Sequence, residues 1–338
     1  MIATIFDVAK EAGVSKSTVS RVLNHEPGVK ESTRAAVETA IEKLNYSPSY
    51  FAQGIRTGKT MTIAVMVPEY TNLFYNELFR GVEDVALANG YLVLMCNTER
   101  RSTTEKDYTE ELLNRNIDGI IYNTYDASPE MLKYLEKLSE RVPVVLMNKI
   151  FRENTTLPYV MTDGFNSTRN AVKYLYDQGK RTFGYIQNMK NISVTEDRYL
   201  GFLQGLKDCN IELREEFVYQ AEEDKDPDYI KQGCMAAEYF ASLSERPEAI
   251  LSVIDALAIG CVQQFKKLGI NVPEEVNIVG YDNISLSALI NPALTTISQP
   301  IRKLGQKAAE IVIAKINGQP VDEQVLYEGE LVLRDTTD

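Results

Sequence analysis

From residue 62 onward, the chain alternates short apolar runs with amphipathic stretches, and this alternation restricts the folds open to it. Runs such as "TIAVMV", "DGIIY" and "VNIVGY" have the length and the Val/Ile content of buried strands. The stretches between them, such as "NSTRNAVKYLYDQG", place apolar residues at helical spacing and end in glycine. Strands that alternate with helices form parallel sheets, so the pattern predicts an α/β body long enough for two sheets.

The beginning of the chain has a different pattern, with three short helices and no strand-like run. "TIFDVAKEAG" predicts a helix that Gly13 ends in the left-handed conformation. "VSKSTVSRVLN" predicts a second helix capped by Ser15. "STRAAVETAIEKLNYSP" predicts a third, capped at Ser32 or Thr33. Helix, tight turn and helix form the helix-turn-helix pattern, in which the second helix enters the major groove of DNA.

Charge is unevenly distributed along the chain. Residues 1–59 hold eight Lys and Arg against six Asp and Glu, the remainder holds 28 against 42, and the net charge is −12. An acidic body repels phosphates and would confine contact with nucleic acid to the head. Lys16, Ser17 and Arg21 lie off the apolar face of the second helix and suit phosphates and base edges. A helical hairpin with a merely solvated polar face remains the alternative.

Composition argues against several other classes of protein. No apolar run approaches the roughly 20 residues that span a bilayer. Asp7 and Glu11 interrupt the N-terminal stretch where a signal peptide has an apolar core, and the four cysteines are widely spaced, so we expect a cytoplasmic protein with free thiols. With one histidine and no nucleophile beside a plausible base, we expect no catalytic residues, no cofactor and no metal.

The run "DVAKEAGVSKSTVSRVLN", followed by "AIEKLNYSPS" and "AQGIRTGKT", closely resembles the N-terminus of the LacI/GalR family of bacterial transcriptional regulators. The resemblance continues across essentially the whole chain. It implies an all-α helix-turn-helix head and an α/β body of two Rossmann-like lobes of periplasmic-binding-protein type I. The implied divisions are a DNA-binding head of 1–46, a hinge of 47–60, a first lobe of 61–160 with 293–322, and a second lobe of 161–292 with 323–338.

The resemblance also implies roles for single residues of the head. Lys16, Ser17 and Arg21 would read base edges, and a bidentate contact from Arg21 to guanine would supply about 1–3 kcal/mol of discrimination. The other implied DNA-binding residues, mostly phosphate contacts, are Thr4, Ser15, Thr18, Asn24, His25, Thr33 and Tyr46. For His25, a plain exposed loop histidine is an equal alternative.

The hinge segment admits two interpretations. "GIRTGKT" looks like a phosphate-binding loop, but only three residues separate its glycines and no strand precedes it. The resemblance instead implies a short helix that forms on the operator and inserts a side chain into the minor groove. Ala52 takes the close-packing position and Ile55 the inserted position, where the family has leucine.

Ligands of open α/β sheets bind at the carboxyl ends of strands, and the chain has polar and aromatic residues after several strand-like runs. The effector-binding residues that the resemblance implies are Phe74, Tyr75, Asn148, Arg198, Asp255 and Asp282. This set suits a polyhydroxylated ligand. Tyr75 in the core, Arg198 paired with Asp197, and Asp282 as a turn cap remain the structural alternatives. Ile254 stands where the family has asparagine, which argues against a common hexose and leaves Asp255 mainly as a helix cap.

These observations predict a homodimeric DNA-binding transcriptional regulator, in the first instance a repressor of carbohydrate uptake or catabolic genes. It would bind a pseudo-palindromic double-stranded operator and respond to a small sugar-like effector, with no membrane partner. A solute-binding protein of a transporter is the main alternative from another class, although such a protein has an export signal and no helix-turn-helix. A sugar-processing enzyme and a regulator that uses a phosphoprotein corepressor are further alternatives.

Overall fold

A computed structural model describes residues 3–23, 26–46, 59–148, 151, 154–188, 193–221 and 228–337. The chain divides into two compact units, Met1–Met61 and Thr62–Asp338, which we call the head and the body. The predicted DNA contacts Asn24, His25, Ala52 and Ile55 lie outside the described residues.

The head contains three helices, α1 (Ile5–Glu11), α2 (Lys16–Leu23) and α3 (Glu31–Leu44). A capping box begins α1, because the Thr4 N–H donates to Asp7 Oδ2 over 2.9 Å and the Asp7 N–H donates to Thr4 Oγ1 over 3.4 Å. Gly13 has a φ of 65°, which confirms the predicted left-handed turn between α1 and α2.

One apolar cluster holds the three helices of the head together. Its buried members are Val8, Ala9, Val19, Val22, Val37 and Ala40. The predicted start of the third helix was wrong: α3 begins at Glu31, and its cap residue Lys30 makes no side-chain cap bond. Because only six side chains of this core are buried and the others that pack on it are partly exposed, the head has a small core on which its stability depends.

The first lobe of the body is a six-stranded parallel sheet in the order β11-β5-β4-β3-β1-β2. Its strands are β1 (Thr62–Val67), β2 (Leu92–Asn97), β3 (Gly119–Tyr122), β4 (Val144–Met147), β5 (Tyr159–Thr162) and β11 (Gln324–Tyr327). Its helices are α4 (Leu73–Ala88), α5 (Ser102–Asn114), α6 (Pro129–Ser139) and α11 (Ile301–Ile316). The carboxyl ends of all six strands therefore face the same edge.

The second lobe has the order β12-β10-β9-β8-β6-β7, with β12 alone antiparallel to its neighbour. Its strands are β6 (Phe183–Gln187), β7 (Val218–Gln220), β8 (Ala249–Ser252), β9 (Asn277–Asp282), β10 (Thr295–Ser298) and β12 (Glu330–Val332). Its α-helices are α7 (Gly164–Asp177), α8 (Ser193–Asp208), α9 (Tyr229–Ser242) and α10 (Asp255–Lys267). The two sheets agree with the α/β architecture that the alternating pattern predicts.

Two strands lie in a different lobe from the one given by the predicted boundaries of 293–322 and 323–338. β10 pairs in parallel with β9 of the second sheet, and β11 pairs in parallel with β5 of the first. The chain therefore passes between lobes after β5, after β10 and after β11, and the last two passages come several residues later than predicted. Backbone hydrogen bonds to distant strands decide this membership, and local sequence does not encode them.

Helix α11 returns to the first lobe from far along the sequence and packs closely on α4. Gly305 makes this contact, and a Cβ placed there would lie 2.1 Å from the carbonyl oxygen of Leu78. Gly81 makes the reciprocal approach, with the same distance to the carbonyl oxygen of Arg302. Glycine is required at both positions because any side chain would separate the two helices.

Candidate functional site

Helix α2 presents polar side chains on one face and packs the other into the head. Val19 and Val22 are buried, whereas Lys16, Ser17 and Arg21 are exposed and Thr18 is half-buried. Ser15 begins the helix, because its Oγ accepts the Thr18 N–H over 3.1 Å, as its predicted capping role requires. The same Oγ lies 2.7 Å from Ser17 Oγ and 2.8 Å from Thr18 Oγ1, so three hydroxyls cluster at the N-terminus of α2.

Arg21 is held by the loop that follows its own helix. Its Nη2 donates to the carbonyl oxygen of Pro27 over 2.9 Å, and its Nε lies 3.4 Å from Glu26 Oε2. Both side chains of the ion pair are about half exposed, at 47% and 48%. Exposed pairs of this kind contribute about 1 kcal/mol or less, so the contact orients Arg21 without locking it.

Phe6 is a residue of the head that sequence reasoning did not single out. Its side chain is 63% exposed on α1, and the Lys16 ammonium lies 4.9 Å from its ring centroid. The contact is a cation–π interaction at an exposed site. The available signal was an aromatic residue placed outside the buried stripe of Val8 and Ala9.

The remaining predicted DNA contacts of the head have structural partners of their own. Thr4 is exposed and serves as the N-cap of α1, and Thr33 is half-buried in the first turn of α3. Tyr46 packs against the apolar cluster of the head, and burial raises the pKa of its hydroxyl. A capping or packing role leaves a hydroxyl oxygen able to accept or donate a second bond.

The body contains a cleft between its two lobes, with about 600 Å³ of empty space that includes the open mouth. The lining residues of the first lobe are Asn72, Phe74, Tyr75, Asn123, Thr124, Tyr125 and Asn148. Those that follow the crossing into the second lobe are Asn188, Thr195, Arg198, Ile254, Asp282 and Gln299. Five of the six predicted effector-binding residues thus line one cleft.

Arg198 and Asp282 face each other in the second lobe, and both side chains are 8% exposed. Arg198 Nη2 lies 3.7 Å from Asp282 Oδ1, and Arg198 Nη1 donates to the Val253 carbonyl oxygen over 2.6 Å. Gln299 donates to Asp282 Oδ1 over 2.7 Å. Burial raises the pKa of Asp282 to about 7, against the opposing attraction of Arg198. Arg198 Nε has no hydrogen-bond partner within the described part of the chain, so the two charges are only partly compensated within the protein.

Aromatic rings contribute to both sides of this cleft. The Arg198 guanidinium lies 3.7 Å from the Tyr281 ring centroid, which fixes its plane. Phe74 and Tyr75 begin α4, and their ring centroids are 5.2 Å apart at an interplanar angle of 87°. Burial raises the pKa of Tyr75 well above its usual value, so its hydroxyl is a neutral hydrogen-bonding group.

Two asparagines that sequence reasoning missed line the cleft, and each has a buried polar atom without a partner among the described residues. Asn123 Nδ2 and Asn188 Oδ1 are buried and have no hydrogen-bond partner within the described part of the chain. One is a donor and the other an acceptor, and they come from opposite lobes. Buried polar atoms of this kind need a partner, which a ligand in the cleft can supply.

Asp255 does not line the cleft, in contrast to its predicted role. Its carboxylate accepts hydrogen bonds from the Ile284 N–H over 2.9 Å, from Ser287 Oγ over 2.6 Å and from Thr296 Oγ1 over 2.6 Å. Nor does it cap α10, whose N-cap position belongs to Ile254. Both carboxylate oxygens of Asp255 accept hydrogen bonds, so Asp255 connects the loop after β9 to β10. Burial raises the pKa of Asp255 to about 6.

In the part of the chain that the structure describes, no group of three or more His, Cys, Asp or Glu side chains is arranged to hold a metal ion. A search of its helices finds none with the length and apolar character needed to cross a membrane.

Two family models match the sequence. Residues 4–49 match the bacterial regulatory proteins of the lacI family, and residues 172–337 match a periplasmic binding protein-like domain. The HTH-type transcriptional repressor PurR of Vibrio vulnificus is 34% identical over 336 residues, which cover 99% of this chain and 98% of that protein.

Solved structures give the same result. The lac repressor dimer bound to operator and the anti-inducer ONPF is 26% identical, with a TM-score of 0.89 over 100% of this chain and 99% of that one. A periplasmic binding protein/LacI transcriptional regulator from Alkaliphilus metalliredigens, complexed with D-xylulofuranose, is 29% identical. Its TM-score is 0.70 over 82% of this chain and 99% of that one.

Proposed function

Because this chain belongs to the LacI family of bacterial regulatory proteins, we propose that it is a repressor that reads DNA with α2 and responds to a sugar-like effector between its lobes. The protein is a DNA-binding transcriptional regulator and not an enzyme. The observation that carries the proposal is the pairing, in one chain, of a capped helix with an exposed polar face and a cleft with unsatisfied polar atoms.

In the head, Lys16, Ser17 and Arg21 are proposed to contact base edges. Their exposure on α2 supports this role, since the second helix of a helix-turn-helix enters the major groove. Phosphate contacts are assigned to the remaining predicted residues, which are Thr4, Ser15, Thr18, Asn24, His25, Thr33 and Tyr46. Ala52 and Ile55 are assigned to the minor groove on the sequence pattern alone.

In the body, Arg198, Asp282 and Asn148 are proposed to bind ligand hydroxyls, with Tyr75 and Phe74 as the aromatic wall. The relative complexed with D-xylulofuranose supports a carbohydrate ligand, as does the mixture of amide, carboxylate and guanidinium groups. Asn123 and Asn188 are added to this set. Because they belong to opposite lobes, one ligand that satisfies both would hold the lobes together.

The protein is proposed to act as a homodimer in the cytoplasm. The lac repressor structure is that of a dimer bound to operator. In this chain, β2 is an edge strand of the first sheet, and Leu92 and Leu94 are 64% and 43% exposed on it. Leu87, at 58% exposed, lies just before β2. An exposed apolar strip along a sheet edge suits a second copy of the chain.

The strand pairings support revised limits for the two lobes. We assign residues 62–162 with 301–327 to the first lobe and 163–300 with 328–337 to the second. Ligand-induced change in the relation between these lobes is the proposed means by which the effector alters operator affinity.

Selection from a randomised pool of DNA duplexes tests the DNA-reading function. The full-length protein is expected to enrich a two-fold symmetric sequence, with one half-site for each head of the dimer. A thermal-shift screen with neutral sugars, sugar phosphates and sugar acids tests the cleft. A pool that stays random after selection contradicts DNA reading, and a melting temperature that no sugar changes contradicts the carbohydrate effector.

A further inference from the structure

Arg100 is a nearly buried guanidinium at the boundary between the two lobes. It belongs to the first lobe, in the turn between β2 and α5, and its side chain is 12% exposed. Glu99 and Arg100 have φ angles of 53° and 57°, a conformation that residues with a side chain rarely adopt. Two such residues in succession form the turn that carries Arg100.

The partners of Arg100 come from both lobes. Arg100 Nη2 forms an ion pair with Glu69 Oε2 in the loop after β1. The guanidinium lies 5.4 Å from the ring centroid of Tyr125 in the first lobe and 5.1 Å from that of Tyr229, the first residue of α9 in the second lobe. One cation therefore contacts two aromatic rings that belong to opposite lobes.

Tyr125 connects this contact to the effector cleft. It lines the cleft together with Tyr75, and it acts electrostatically on both Tyr75 and Tyr229. Burial first, and then the field of Tyr125, raises the pKa of both Tyr75 and Tyr229, so these hydroxyls stay neutral donors and acceptors. A movement of Tyr229 away from Arg100 would therefore also disturb the wall against which a ligand lies.

The electrostatic conditions at Arg100 favour a strong contact. A guanidinium is weakly hydrated and stacks on aromatic faces, and the interaction strengthens where water is excluded. Glu69 compensates the charge of Arg100 and leaves the faces of the two tyrosine rings free to contact the guanidinium. Because Tyr229 is part of the second lobe, the second half of the contact requires the two lobes to lie as close together as they do here.

We propose that Arg100 is a positioning residue of the effector cleft, which holds the two lobes closed by joining Tyr125 of the first lobe to Tyr229 of the second. Because the cleft is an effector site only under the proposed function, the role of Arg100 rests on that function. A contact of this kind shifts the ratio of closed to open molecules by roughly 5- to 30-fold. The energy needed to open the cleft, and so the residence time of a ligand, would depend on Arg100.

The chain contains no tryptophan, so Tyr229→Trp introduces a single fluorescent reporter at the contact itself. Indole retains the cation–π interaction with Arg100. In full-length protein without ligand or DNA, acrylamide quenching of this tryptophan is expected to be weak. Adding Arg100→Ala is expected to raise the Stern–Volmer constant at least about twofold, because a roughly 5- to 30-fold fall in the ratio of closed to open molecules exposes the ring in more of them.

Two matched variants separate the proposed role from a general change in charge or folding. Arg101→Ala removes the neighbouring arginine, which is 60% exposed in its pair with Glu99, and is expected to leave quenching unchanged. Arg100→Lys keeps a cation but loses the planar guanidinium, so it is expected to restore only part of the protection that Arg100→Ala removes. Small-angle X-ray scattering of Arg100→Ala without the tryptophan is expected to give a larger radius of gyration than the wild type.

Equal quenching in the Arg100→Ala and Arg101→Ala backgrounds, or equal radii of gyration, would overturn the proposal. Neither measurement requires an effector or an operator. Operator selection with the same wild-type preparation is scored separately, so a failure of the lobe contact is distinguishable from a failure of the proposed function.

Discussion

The head and the cleft use similar side chains in opposite environments. The Arg21 side chain in the head is 47% exposed and held by a weak ion pair and a carbonyl oxygen, whereas that of Arg198 in the cleft is 8% exposed and held by a carboxylate, a carbonyl oxygen and an aromatic ring. The head therefore keeps its polar groups hydrated until a partner arrives. The cleft has already desolvated its charged groups during folding, so substitutions there affect both stability and binding.

The largest expected effect is that of Asp282→Ala in the cleft. Removing this carboxylate leaves Arg198 buried without its anionic partner, which costs about 3–5 kcal/mol of folding free energy in comparable buried pairs. The free energy of unfolding in urea and the sugar-dependent thermal shift are both expected to fall. Asp84→Ala is the matched control, because Asp84 pairs with Arg302 at the surface. Equal destabilisation by both substitutions would contradict the contrast between buried and exposed pairs.

A second test uses the buried carboxyl of Glu105, which accepts a bond from Thr124 Oγ1 over 2.6 Å behind the cleft wall. Burial raises its pKa from 4.5 to about 7, so the folded state binds more protons than the unfolded state between these values. Wild-type stability is thus expected to fall as pH rises from about 4.5 to 7 and then level off, by up to about 3 kcal/mol from this group. The free energy of unfolding of Glu105→Gln, measured in urea at pH 5 and pH 8, is expected to lack the pH dependence that Glu105 contributes.

An acidic residue of the head provides the control for that pH dependence. Hydrogen bonds from Thr4 hold the pKa of Asp7 below its usual value of 3.8, so its stabilising contribution is lost only as pH falls below that range. Asp7→Asn is expected to leave the change in the free energy of unfolding between pH 5 and pH 8 as it is in the wild type. If Glu105→Gln shows the same change in the free energy of unfolding with pH as Asp7→Asn and the wild type, burial does not govern the titration of Glu105.

Arg21→Ala tests the exposed side of the comparison. The variant is expected to remain folded and to lose about 1–3 kcal/mol of discrimination per half-site, since a bidentate arginine–guanine contact contributes that much. The measurement is the ratio of affinities for the selected operator and for random DNA, by fluorescence anisotropy. Lys10→Ala removes the same charge from the exposed face of α1 and serves as control. An unchanged ratio in Arg21→Ala would remove the base-reading role.

Glu26→Gln should have the smallest effect. It releases Arg21 from its exposed ion pair, and because such pairs contribute about 1 kcal/mol or less, DNA affinity is expected to rise by no more than about fivefold. Glu31→Gln changes the same charge at the start of α3 and corrects for the general loss of negative charge. A larger gain in DNA affinity with Glu31→Gln than with Glu26→Gln would show that the ion pair between Glu26 and Arg21 has no specific effect on DNA binding.

The sequence predicted best those features that depend on local residues. The turn at Gly13 and the cap at Ser15 follow from single residues and their immediate neighbours. Strands β1, β3 and β9 coincide with the apolar runs quoted from the sequence, whereas β7, β11 and β12 contain no buried residue. Strand β11 alternates exposed and half-buried side chains, so it lacks such a run. Its membership of the first sheet depends on hydrogen bonds to β5, which no local pattern encodes.

In the cleft, the missed residues had a signal that can be stated in physical terms. Asn123, Asn188 and Gln299 each directly follow the last residue of a strand, where side chains reach the carboxyl edge of a parallel sheet. Asp255 has no comparable signal. Its structural role depends on hydrogen bonds from Ser287 and Thr296, which lie more than thirty positions away in the sequence.

The central claim is that ligand binding in the cleft changes DNA binding by the head. It is tested most directly by titrating the selected operator with full-length protein, with and without the sugar that most raises its melting temperature. Coupling between two such sites typically amounts to about 5- to 150-fold in affinity, and we predict a change of at least about fivefold in the operator Kd. An identical operator Kd at saturating sugar would contradict the claim.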